Sequence, residues 1–337
     1  MSAIELVTRP FRRKFVEYAS DRPNVVCLSG DLTASCEADA FRDTYPERFF
    51  SMGMAEQNML AAAGGFAREG FVPMVTTFSV FTTRRPYEQI ALQIAYPNLA
   101  VRLFGFLPGL TTPGGVTHQA TDDVALMRQL PNMTVLDLGD ATEVETVWDL
   151  LDDIGGPVFC RVLRGEVPRL FDEPMRFGQC RELTGGDDVL VVTSGISTET
   201  SLPAVAALRA AGVDVGHVHV STLKPFDDEQ LIERICAART GVVTVENHSI
   251  IGGLGAAVAQ VMATRSAAGR LQQLGTRDTF THGGSRDYLL AHYGLAAADV
   301  VAAVEDLVGR STDVDIAALT ASDAPPPPGA RAKAEGL

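Results

Sequence analysis

Asp188 to Val220 reads DVLVVTSGISTETSLPAVAALRAAGVDVGHVHV. Asp188 to Thr193 is a β-branched run, Thr198 to Ala211 carries a helical pattern, and Val213 to Val220 is a second strand-like run. Two apolar strands flanking one helix form a βαβ unit, which predicts parallel pairing in a sheet covered on both faces. The alternation continues through Leu223-Lys224-Pro225, a helical pattern from Asp228 to Ala238 and a strand from Thr240 to Val245.

Working outward, the first half repeats the plan. Thr8 to Ala19 is amphipathic, and Asn24 to Leu28 is a short strand ending in Ser29-Gly30-Asp31. Helices follow at Glu56 to Arg68 and Tyr87 to Ala95, with strands at Val72 to Val75, Leu99 to Phe104, Met133 to Leu136 and Val158 to Val162. The pattern predicts an α/β protein with two doubly wound, mostly parallel-sheet domains. The periodicity weakens in the polar stretch Asp172 to Asp187, so the expected domains are residues 1–170 and 187–312. Residues 320–337, with Pro325 to Pro328, predict a flexible proline-rich tail.

Composition narrows the partners. The 337 residues carry a formal charge of −14, which disfavours nucleic acid and anionic membranes, since phosphate backbones need a concentrated basic face. A few placed arginines can still hold one anionic substrate. Five scattered cysteines without CxxC spacing argue against a disulfide framework or a zinc site. No apolar signal region opens the chain and no run of about 18 apolar residues stands out, so the expected location is cytoplasmic.

Two stretches carry chemistry. In Met52 to Ala63, MGMAEQNMLAAA, Glu56 opens an otherwise apolar helix. Such a carboxylate complements the helix dipole, but among apolar neighbours it is costly unless paired or used. Thr77 to Phe81, TFSVF, places two aromatics three residues apart at a strand end, a spacing equally at home in a core.

In combination, GMAEQNM followed by TFSVF resembles the pyrimidine-binding domain of the transketolase family. The resemblance implies that Glu56 hydrogen-bonds the aminopyrimidine of thiamine diphosphate and that Phe78 and Phe81 stack on the ring, so that the cofactor's own amino group can remove the thiazolium proton. Thr8-Arg9, Ser29 to Ser35 (SGDLTAS), Thr117-His118-Gln119 and Arg164 in RVLRGEVP match the family in the same register. They imply Asp31 near the cofactor, His118 at the reacting oxygens, and Arg9, Ser35 and Arg164 on the phosphate of a sugar substrate. STLKPFD and VENHSIIGGLGAAVAQ resemble the family's C-terminal domain, and there a structural role is expected for His248.

The family's GDG motif and partner asparagine, which ligate the magnesium on the cofactor diphosphate, have no counterpart in the chain. The resemblance therefore implies a chain inactive alone, paired with a separate pyrophosphate-domain subunit in an α2β2 assembly, with magnesium held mainly by the partner. Some substrate positions depart from the family: Gly114 replaces an aspartate, Phe106 a histidine, Leu163 a serine and Arg84 an aromatic. A site that loses a hydroxyl-reading group loses that discrimination, so ketol transfer between sugar phosphates stays the expected reaction, with a specialised ketose or branched sugar phosphate in place of the usual xylulose and ribose phosphates. The β subunit of a 2-oxoacid dehydrogenase decarboxylating component, a deoxyxylulose phosphate synthase-like activity and a non-catalytic regulatory subunit remain alternatives.

Overall fold

A computed structural model describes residues 4–321. Strands β1 (Leu6–Thr8), β2 (Val25–Ser29), β3 (Phe49–Ser51), β4 (Val72–Phe78), β5 (Arg102–Phe106), β6 (Thr134–Asp137), β7 (Val158–Val162) and β8 (Glu166–Pro168) form the first half. The second half adds β9 (Arg181–Thr184), β10 (Val189–Thr193), β11 (Val215–His219), β12 (Thr222–Lys224), β13 (Gly241–Ser249) and β14 (Arg270–Thr276).

The larger sheet has the order β12-β6-β7-β5-β4-β2-β3, and the smaller one β14-β13-β10-β11-β9. Pairing is parallel except at β12 and β9, each an antiparallel edge strand. The central strands are buried along their whole length, as helix layers on both faces demand. On one face of the larger sheet, Phe11, Phe15, Phe41, Phe104 and Trp148 make a ring-on-ring core under the helix Pro10–Ala19. The opposite face shares one continuous apolar core with the smaller sheet, running from Met59 and Leu60 to Leu190 and Val218.

Several expected boundaries move. Thr222–Lys224 leaves its own half and pairs with β6, so the first sheet is completed by the second half of the chain. The polar stretch expected as a linker contains β9, which closes the edge of the smaller sheet beside β11. The strand expected at Leu99 to Phe104 begins only at Arg102, because a tight turn joins the Val101 amide to the Leu99 carbonyl. The helix from Tyr87 changes to a π-helix over Ile90–Ala95. There Gly64 of the helix Glu56–Arg68 comes so close that an added Cβ would lie 2.7 Å from the Gln93 carbonyl oxygen. Thr320 and Ala321 close the helix Ile316–Ala321, while the rest of the expected tail lies outside the described residues.

By length and composition alone, Arg286–Val308 could cross a membrane. It is instead two helices, Arg286–His292 and Ala297–Val308, whose Leu289, Leu290, Val300, Val304 and Leu307 fill the core of the smaller domain.

Candidate functional site

In an open α/β sheet, ligands gather beyond the carboxyl ends of the strands where the strand order reverses. Here that point lies between β2 and β4, since β3 continues to one side and β5 to the other. Asp31 follows β2, Glu56 follows β3, Phe78 ends β4, His118 lies in the loop after β5 and Arg164 follows β7.

Glu56 is the first residue of its helix and only 3% exposed. No side chain caps that helix, so the Glu56 carboxylate supplies the negative charge its N-terminus favours. Oε1 accepts one hydrogen bond, from Arg85 Nη1 at 2.8 Å. Phe78 closes β4, but Phe81 lies one turn into the helix Ser79–Thr83 and not on the strand, as TFSVF had suggested. The strand-to-helix switch sets the two rings nearly parallel, 16° apart with centroids at 6.1 Å. Gly30, beside the exposed Asp31, packs against this region: a Cβ there would meet Thr77 Oγ1 at 3.4 Å and the Gly53 carbonyl oxygen at 3.6 Å.

His118 meets the edges of both aromatic rings, at 5.5 Å from Phe81 and 6.3 Å from Phe78. Its Nδ1 lies 2.8 Å from Thr117 Oγ1, a contact that orients the imidazole. Gly114 is required here, because a Cβ at that position would sit 2.9 Å from His118 Cβ. Arg84 clamps the same loop through Asp122 at 2.9 Å and the Val116 and Gln119 carbonyls. The smaller domain reaches in as well: buried Gln119 donates to the His282 carbonyl at 3.2 Å and accepts from Thr281 Oγ1.

A second cluster gathers Arg9, Ser35 and Arg164. The Arg9 amide donates to the Gly165 carbonyl at 2.7 Å, and Arg164 Nη1 to the Ser35 carbonyl at 3.4 Å. Beneath them lies Glu37, 3% exposed, which accepts from the Gly165 amide at 2.8 Å and the Arg12 amide at 3.3 Å. Burial pushes the Glu37 carboxyl up from its ordinary value; those amides and the charges of Arg9 and Arg164 pull it back. Arg164 is lowered chiefly by burial, with Cys36 and Glu37 opposing. Arg9 and Glu37 both hold positive φ, 47° and 54°, which non-glycine residues adopt only where surrounding structure enforces it.

The fold thus brings Glu56, Phe78, Phe81 and His118 into one cluster, and Arg9, Ser35 and Arg164 into another. Phe106, the register partner of Phe78 on the neighbouring strand, is fully buried in the same apolar core with its ring 4.9 Å from Phe11, and Leu163 packs on the core of the smaller domain. His248 is a buried staple: its Nε2 accepts from the Ala125 amide at 3.3 Å. Sequence reading missed Glu37, Arg85 and Thr281. Only Arg85 left a local trace, as a second arginine beside the departure at Arg84.

Residues 7–169 match the transketolase pyrimidine-binding domain and residues 178–300 the transketolase C-terminal domain. The chain is 40% identical to a transketolase family protein of Sinorhizobium fredii, covering 88% of this chain and 87% of that one. It is 35% identical to the 6-deoxy-6-sulfo-D-fructose transketolase subunit SqwH of a Clostridium species, over 88% of this chain and 92% of the relative. A solved split-gene transketolase, described as an inactive β4 tetramer, superposes with a TM-score of 0.79 at 38% identity, covering 89% of this chain and 97% of that one. The chain belongs to the transketolase family. Its relatives include split transketolase subunits, which implies a separate partner subunit.

Proposed function

We propose that this chain is the pyrimidine-binding subunit of a split, thiamine-diphosphate-dependent transketolase. With a pyrophosphate-domain partner, most simply as α2β2 in the cytoplasm, it would move a two-carbon ketol unit between anionic sugars. One observation carries the reading: a buried carboxylate, joined through Arg85 to a parallel phenylalanine pair that meets a histidine, lies at the strand-order reversal of a transketolase-family sheet.

The residues fit an aminopyrimidine, because a planar N–H donor, the Arg85 guanidinium, already covers Phe81 and bonds Glu56. When bound, thiamine diphosphate would supply the nucleophilic carbon that the transfer requires. Glu56 would accept a hydrogen bond from the pyrimidine ring, while Phe78 and Phe81 would fix the ring plane and exclude water. His118, oriented by Thr117, shuttles protons at the substrate oxygens. Arg9, Arg164 and Ser35 hold the anionic end of the sugar, and Asp31 lines the cofactor side. The reading places the magnesium ligands on the partner, which would carry the GDG motif and asparagine that have no counterpart in this sequence.

The anion is a phosphate or, as the name of the Clostridium relative suggests, a sulfonate; both offer three oxygens to a pair of arginines. Co-purification with the partner, titration with thiamine diphosphate and magnesium, and ketol transfer over a panel of phosphorylated and sulfonated ketoses test it. Turnover should require both chains and fall about 10²- to 10⁴-fold in Glu56→Gln, the usual contribution of a positioned acid–base group. A pair that binds the cofactor yet transfers no ketol unit contradicts the proposal.

A further inference from the structure

Arg84 and Arg85 are neighbours with different duties. Arg84 spends its donors on Asp122 and two carbonyls of the His118 loop. Arg85 reaches the other way. Its Cζ lies 4.2 Å from the Phe81 ring centroid and its Nη1 donates at 2.8 Å to Glu56. A flat, delocalised cation with N–H donors in its plane can stack and hydrogen-bond at once, which an ammonium cannot.

These are the two interactions that the preceding reading assigns to the aminopyrimidine: a stacked face on Phe81 and an N–H to Glu56. One guanidinium and one ring cannot both have them. We propose that Arg85 is a built-in stand-in for the aminopyrimidine, a plug that keeps this chain's half of the cofactor site closed until thiamine diphosphate displaces it. The inference rests on the reading of Glu56 and Phe81 given above.

The local energetics suit an exchangeable plug. Glu56 is buried, and a buried carboxylate left without a partner is costly, so the pocket gains by keeping a cation in place while the cofactor is away. Arg85 itself is half exposed, with a side-chain exposure of 50%, and Glu56 is its one ion pair among the described residues. Swinging out therefore returns its charge to water at little cost, and the incoming ring takes over the bond to Glu56. An ion pair and a cation–π contact whose guanidinium is half in water are each weaker than fully buried ones. The competition should thus weaken cofactor affinity without preventing binding, just as a binding-competent state populated only in part lowers apparent affinity by that fraction.

Calorimetric titration of thiamine diphosphate with magnesium into the assembled two-chain complex decides the matter, comparing wild type with Arg85→Ala and Arg85→Lys. Arg85→Ala should bind ~3- to 30-fold more tightly, the span of one such pair and one such stack together. Arg85→Lys keeps the charge beside Glu56 but not the flat face, and should fall between. Thermal unfolding of each variant shows whether it folds, and the lysine variant carries the test if the alanine variant does not. A crystal structure of the wild-type complex with cofactor should show the guanidinium withdrawn from Phe81. Affinity that is unchanged or weaker in a folded variant, or a guanidinium still stacked beside bound cofactor, overturns the plug while leaving the functional reading intact. Absence of cofactor binding in the wild-type complex instead brings down that reading, and the plug with it.

Discussion

Arg161, at the seam between the two domains, and Arg85, at the pocket mouth, both answer buried carboxylates, and they do so in opposite ways. Arg161 is 1% exposed and uses every side of its guanidinium: Asp123 at 3.0 Å, Asp137 at 3.1 Å, and the Asn247 and Ala120 carbonyls. Its acids are saturated too, Asp137 by Ser194 at 2.8 Å and Asp123 by Ser79 at 2.5 Å. A second knot in the same seam joins Glu143 to His219, Ser221 and the Gly139 amide. At the mouth, Glu56 has one side-chain partner among the described residues, and that partner is half in water. A buried charge whose bonds are all spoken for holds the fold together, whereas one left with a single replaceable partner is available to a ligand.

The sharpest way to break this contrast is Arg161→Met. It strands two buried carboxylates and should lower the stability of the chain by about 3–5 kcal/mol in urea unfolding. A loss under about 1 kcal/mol, the range of exposed pairs, would erase the distinction between seam and mouth.

Arg164→Ala probes the other exposed-side cluster. Removing a charged hydrogen-bond partner of the anion should raise KM by about 10- to 100-fold, equivalent to roughly 1.5–3 kcal/mol. Stability should change little and the penalty should vanish with neutral sugars. An equal loss on neutral and anionic substrates speaks against the anion role.

The smaller sheet should also announce itself in acid. Burial, helped by the charge of His219, holds His217 down at about 3, against an ordinary 6.5. Below pH 6.5 the unfolded chain takes up a proton there and the folded chain does not until about pH 3, so stability falls as pH falls through that window. The slope is about 1.4 kcal/mol per pH unit for this one group. His217→Gln should remove that component between pH 6.5 and 4.5, and an unaltered slope would mean that other groups set it.

Arg84→Ala is the mildest of these changes. Its half-exposed pair with Asp122 is worth about 0.5–1 kcal/mol. Loosening the His118 loop by that amount should lower kcat about 2- to 5-fold, with cofactor affinity unchanged. A fall in cofactor affinity would show that Arg84 supports the cofactor directly as well as the His118 loop.

The residues that sequence reading could single out stand in short local patterns, AEQ, TFSVF, THQ and RVLRG, each at or beyond the end of a strand; apolar runs announce β4, β5 and β7, while β3, before AEQ, was not read from the sequence. Glu37, Arg85 and Thr281 stand in none. Their partners lie far along the chain: Glu37 answers Gly165 across 128 positions, Arg85 answers Glu56 across 29, and Thr281 answers Gln119 across 162. The departures tell a similar story. Gly114 reads as the loss of a substrate contact until the backbone shows that His118 needs the space. Phe106 reads as a site position until its ring is found in the core.

By itself the sequence determined the class of fold and the strand ends where chemistry could sit, because burial on both faces imposes apolar runs and helices impose their own period. Only the tertiary structure decided that β12 completes the neighbouring domain's sheet, that the smaller domain braces the His118 loop, and that Arg85 fills the space between Phe81 and Glu56. Those outcomes depend on which distant side chains arrive at the same point, and a linear pattern carries no record of distance in space.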